Sequence, residues 1–222
     1  LIFLKVFLFV CAAYLFFVMA RPHIGRAAML IMFLYLIYPP NIFGLLYEFD
    51  YESLTPLIIF ALLYCFEKEK WAGFLVWSLV LISIKENLPL IIIAFGILGA
   101  LTKKDKLLWG VVPVCLGGIS FYVLTSLIVP FFNYGDIHHA HPYIGIYSDL
   151  GKSLPDVFKT ILMHPVRILP LFSDPHRMEW LSAIFGPLCF VPLLSLPMML
   201  LALPIIAQHF LSSNYAEQSI DY

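Results

Sequence analysis

The sequence predicts an all-α, polytopic membrane helix bundle of about 7–8 short transmembrane helices plus one amphipathic surface helix. Three observations predict it. Of the 222 residues, 62% are hydrophobic and only 12% are charged, whereas soluble domains carry about 25% charged and 45–50% apolar residues. The mean hydropathy is +0.93, an excess that no soluble core absorbs. Charged knots, above all Glu48–Glu52 and Lys85–Asn87, interrupt strongly apolar runs. The chain is read as a single transmembrane domain over 1–222, with an outer-face polar region at 130–180.

A net charge of -1 and a pI near 6.7 argue against nucleic acid as a partner. Cys11, Cys65, Cys115 and Cys189 all lie in apolar runs, without metal or disulfide spacing, and are expected to be buried, inert thiols. The chain opens on Leu1 and is apolar from there, so it is expected to be a fragment that begins within or just before a membrane helix.

Taken in order, residues 1–20 form a first span of bilayer length, with Lys5 snorkelling to the near interface. Arg21–Arg26 is a basic turn, and the apolar run 27–38 is closed by Pro39–Pro40. After the acidic knot, Thr55–Pro56 reads as an N-cap followed by proline in the first helical turn. The uncharged run 54–66 covers only about 20 Å as a helix, so the span should extend back to Phe49. Glu67–Lys70 is a polar turn. As one helix, 71–101 would measure about 46 Å, too long without severe tilt; two short helices reversing at Lys85–Asn87 are expected, with Asn87 capping the second. Lys103–Lys106 is a basic turn, and 107–129 is a full span whose Gly117–Gly118 would permit close helix approach. A surface helix is expected at about 154–163, because Leu154, Val157, Phe158, Ile161 and Leu162 follow i, i+3, i+4, i+7, i+8 spacing. The run 181–211, with prolines at 187, 192, 197 and 204, reads as one kinked helix or two short helices around Ser195, the pair being the preferred reading.

The basic turns at 21–26, 67–70 and 102–106 fall on one side if the chain reverses at Lys85, and the positive-inside rule makes that side the cytoplasm. The acidic knot, the Lys85 knot and 130–180 then share the outer face of a multi-pass protein of the cell membrane.

Glu48, Asp50 and Glu52 are the candidate catalytic carboxylates, and they could equally hold a divalent metal ion, the one candidate cofactor. The bland alternative is a solvated acidic loop. Lys85 and Glu86 are candidate substrate-binding residues; an ion pair that merely stabilises a helix reversal is an even alternative. Leaving Lys85 unpaired below the headgroups is costly, and consecutive helix residues do not face each other, so Glu48 or Glu52 rather than Glu86 is its expected partner. His139 and His141, two apart, could chelate a metal, although exposed histidine clusters are more often plain surface. Arg167 and Arg177 could hold a phosphate or meet lipid headgroups.

Tyr47-Glu48-Phe49-Asp50-Tyr51-Glu52, Lys85-Glu86-Asn87 and the late stretch 213–220 around Tyr215 occur in order and at a spacing that resembles a family of polytopic membrane proteins. That family is a domain of unknown function grouped with the type C glycosyltransferases that use lipid-linked sugars. The resemblance covers nearly the whole chain and implies transfer of a sugar from a polyprenyl-phosphate donor, with membrane lipid as partner. Asp50 stands where the family tends to have histidine. The main catalytic base that the resemblance implies lies in the first outer loop and is expected to precede Leu1. A transporter or flippase of an anionic lipid or metabolite, and a non-catalytic membrane scaffold, are the alternatives.

Overall fold

The computed structural model describes residues 2–46, 50–132, 147, 150–151 and 154–213, and every regular element among them is helical. The chain forms two compact units, residues 1–92 and 93–222. Two stretches are long and apolar enough to cross a membrane, Ile2–Ile37 and Leu107–Phe132, while the other apolar helices are shorter.

In the first unit, α1 (Ile2–Ile24) is followed by α2 (Ala28–Ile37). The Tyr35 ring stacks on Phe9 at 4.9 Å and meets Phe16 edge-on at 6.1 Å. In one straight helix, residues 9 and 35 would stand about 39 Å apart, so the chain doubles back between them. Gly25, at φ +59, supplies the left-handed step. Only α1, with 23 residues, then has the length of a full crossing, about 35 Å. Lys5, expected at the interface, is buried within the unit instead.

Tyr38 is extended ahead of Pro39, as residues before proline prefer, and α3 (Pro39–Leu46) starts anew. The Asn41 side-chain amide donates to the Tyr35 carbonyl at 2.8 Å and ties this joint. Phe60 on α4 (Thr55–Glu67) stacks on Phe16 at 4.9 Å and meets Tyr35 at 5.6 Å. Four rings from three helices thus interlock, each pair contributing about 0.5–1.5 kcal/mol beyond burial. The turn from α4 to α5 (Trp71–Ile82) is closed by the Lys70 amide on the Cys65 carbonyl, 2.8 Å.

The cap of α4 differs from the expectation. Leu54 holds the N-cap position of α4 without a side-chain bond, and Thr55 is the first helical residue; ahead of it Asp50 accepts from the Tyr51 amide at 2.6 Å and caps a 3₁₀ turn, Tyr51–Leu54. That turn carries helical backbone back to Tyr51; the expected end at Phe49 lies outside the described residues. The run 71–101 is broken as expected: α5 ends at Ile82 and α6 (Pro89–Thr102) begins at its proline.

In the second unit, α7 (Leu107–Phe132) is continuous but contains two π-helical turns, Leu107–Val111 and Leu124–Ile128. Close helix approach occurs at Gly96 and Gly110, while of the expected pair Gly117 is buried and Gly118 has no close neighbour. A Cβ at Gly96 would lie 2.8 Å from the Gly110 carbonyl oxygen, and one at Gly110 would lie 3.0 Å from Ala100 Cβ, whereas Gly118 faces open space. Cys115 and Cys189 are exposed on apolar elements rather than buried as expected; Cys65 is buried.

Helix α8 (Leu154–Met163) has the expected bounds. Its expected lipid-facing stripe is, however, partly committed to protein: Val157 and Ile161 pack with Tyr147, Leu150 and Leu211. Helix α9 (Pro175–Phe185) begins inside the stretch expected to be polar, because Asp174 caps it and Pro175 fits its first turn. Beyond it the chain breaks at Gly186–Ser195, with Cys189 and Phe190 in left-handed conformations, before α10 (Leu196–Leu211). The run 181–211 thus holds the end of α9, two 3₁₀ turns and α10; a break does fall at Ser195, but the residues just before it form 3₁₀ turns in place of the expected first short helix.

Candidate functional site

Two local breaks in helix bring the charged residues of the first unit together. Asp50 is extended, and its carboxylate fixes the 3₁₀ turn that presents Glu52. Lys85 sits in the break between α5 and α6. There the Ser83 hydroxyl donates to the Val80 carbonyl at 2.7 Å and terminates α5. The amides of Leu88 and Leu90 donate to the carbonyls of Lys85 and Asn87 at 3.2 and 3.1 Å, leading into α6. Both side chains leave irregular backbone, which frees them from the helical surface and lets them meet across 33 residues of sequence.

The Lys85 ammonium donates to Glu52 Oε1 in a charge-assisted hydrogen bond. Glu52 is thus one of the two partners expected for Lys85. Partial burial disfavours the lysine charge, but the hydrogen bond and charge of Glu52, joined by Glu86 and Asp50, outweigh it and hold Lys85 above its ordinary range. Among the described residues one cation, Lys85, interacts with three carboxylates, Glu52, Glu86 and Asp50, a surplus of negative charge. A phosphate would have to compete with Glu52 for Lys85, whereas a bound cation would relieve the surplus. Among the described residues no three His, Cys, Asp or Glu side chains are arranged to hold a metal ion.

In the second unit, Arg177 is buried, with 4% of its surface exposed. Its Nη2 donates to the Ser212 carbonyl at 2.9 Å, its Nε lies 3.4 Å from Asp174 Oδ2, and the guanidinium sits 6.0 Å from the Phe210 ring centroid. Arg177 thereby joins the start of α9 to the end of α10. Arg167 is exposed on a 3₁₀ turn, Pro165–Arg167. Glu48, His139 and His141 lie outside the described residues. The role of Asp174 was not singled out in the sequence, although the Asp-Pro pair is a helix-start signal.

The model of the family described as "Predicted membrane protein (DUF2079)" matches residues 1–222. The chain belongs to this family. Its apolar helices, with large side chains such as Phe3, Leu107 and Phe131 more than two-thirds exposed, are in keeping with a DUF2079 protein in contact with lipid. No curated protein and no solved structure matches the chain.

Proposed function

We propose that this DUF2079 protein is a multi-pass enzyme of the cell membrane. Its additional short helices would complete a bundle of about 7–8 crossings. It would transfer a sugar from a polyprenyl-phosphate donor to an acceptor at the outer membrane face, in the manner of type C glycosyltransferases. The observation that carries this reading is the Lys85–Glu52 pair, which joins the two charged knots of the sequence.

In the transfer, the bond between the sugar's anomeric carbon and the phosphate oxygen breaks, and the acceptor oxygen bonds to that carbon. The acceptor proton passes to a carboxylate, and the polyprenyl phosphate leaves with the bonding electrons. Glu52, with Glu48, would orient the acceptor or hold a divalent ion, with Asp50 and Glu86 beside them. Lys85 would meet the leaving phosphate as its charge grows. Arg167, and in a supporting place Arg177, would serve the phosphate or headgroup side; His139 and His141 are the remaining metal candidates.

The test is the full-length protein in proteoliposomes with labelled polyprenyl-phosphate sugars. Transfer or hydrolysis is expected, falling about 100-fold in Lys85→Met. Labelled donor carried across the bilayer chemically unchanged would instead favour a transporter, the reading compatible with short helices broken at charged turns. A scaffold would leave the phenotype intact in Glu48→Gln and Lys85→Met.

A further inference from the structure

We propose that the stretch 157–173, comprising most of α8 and the two 3₁₀ turns after it, docks on an anionic lipid surface. This inference rests on the membrane character of the family and not on the reaction proposed above.

Helix α8 has one face committed to protein. Val157 and Thr160 are buried, and Val157 packs with Tyr147 and Leu150. The other face, continued by the turns Pro165–Arg167 and Leu169–Ser173, leaves large apolar side chains in the open. Leu162 is 79% exposed, Met163 66%, Val166 72%, Leu169 61% and Phe172 54%. A water-facing surface rarely carries so continuous an apolar strip.

Backbone geometry sets the depth. At 10 residues, α8 is about 15 Å long, half of a hydrocarbon core. The 3₁₀ turns leave backbone polar groups unsatisfied by regular helix, and lipid hydrocarbon tolerates none of these. The strip therefore lies at the level of the headgroups and upper acyl chains. Charge selects the lipid. Lys159 and Arg167 are the only side chains of fixed charge in 157–173, both exposed and both cationic; of the flanking acids, Asp174 is engaged with Arg177 and the next helix, and Asp156 stands in the first turn of α8, six residues before Leu162. Exposed apolar anchors interleaved with cations alone are complementary to an anionic interface.

The test uses the full chain with its four native cysteines replaced by alanine, in nanodiscs, with an environment-sensitive thiol label on a single cysteine at position 162, 166 or 172 and a control at Asp156. Lipids brominated just below the headgroup or near the acyl terminus act as quenchers. Shallow bromines are expected to quench the three strip positions strongly and the control weakly. Phosphatidylglycerol should be enriched around the protein over phosphatidylcholine, by up to about fivefold less for each of Lys159→Gln and Arg167→Gln. These two exposed substitutions leave the core untouched, so they read out charge rather than folding. Stronger quenching from deep bromines, no quenching at any strip position, or enrichment indifferent to both substitutions would each overturn the proposal.

Discussion

At the scale of single residues, the Lys85–Glu52 contact and the Arg177 knot are opposite uses of charge. Lys85 and Glu52 keep 38% and 47% of their side-chain surface exposed. Such a pair contributes no more than about 1 kcal/mol to stability. A double-mutant cycle of Glu52→Gln and Lys85→Met, read by thermal unfolding in detergent, should give a coupling of about 0.5–1 kcal/mol. Because Lys85 titrates above its ordinary range, the stability that its charge contributes is fully present below that range and is lost only as pH rises through the folded value. The coupling should therefore be flat from about pH 7 to 9, well below the ordinary lysine value of about 10.4. Arg177 is structural by comparison. Asp174→Asn keeps the helix cap but strands the buried cation and should cost about 3 kcal/mol, and Asp174→Ala, which also removes the cap, about 1 kcal/mol more. Equal losses in the two variants would show that the cap is irrelevant. The Lys85 pairing was legible in sequence because a lone lysine in apolar surroundings must find an acid. The Arg177 knot was not, because one of its partners is the Ser212 carbonyl, which has no side-chain signature.

At the scale of elements, the sequence was most informative where a physical constraint was sharp. The bounds of α8 followed from 3.6-residue periodicity, and the break at Lys85 followed from a helix too long to fit a bilayer. It was least informative where several residues could do one job. Thr55 has capping chemistry but is already helical, and Asp50 caps the 3₁₀ turn that precedes α4. The start of α9 falls within the stretch 130–180 expected to be polar, because burial of Arg177 depends in part on the Ser212 carbonyl, distant in sequence. Close approach at a glycine likewise depends on what lies opposite, which its sequence neighbours do not reveal. A Cβ at Gly99 would collide with the Trp109 backbone carbonyl, which cannot move aside as a side-chain tip would. Gly99→Ala is therefore expected to cost about 3 kcal/mol, whereas Gly118→Ala, with open space around it, should be within about 0.5 kcal/mol of neutral. Comparable melting shifts in the two variants would contradict the close crossing.

At the scale of the whole molecule, the proposed sidedness places the basic turns at 21–26 and 67–70 on one side of the membrane and the charged site on the other. Impermeant thiol reagents applied from outside intact cells should reach cysteines at positions 51 and 86 but not those at 23 and 68. The central claim is narrower: the acidic knot and Lys85 form one site. The direct measurement is cross-linking of Glu52→Cys to Lys85→Cys in the full-length protein with a short bifunctional thiol reagent. A Gly73→Cys control should pair with native Cys65, since a Cβ at position 73 lies 3.9 Å from Cys65 Cβ, within the disulfide range of about 3.5–4.5 Å. The account predicts efficient linkage of 52 to 85 under conditions that link the control. Linkage of the control with none between 52 and 85 would contradict it.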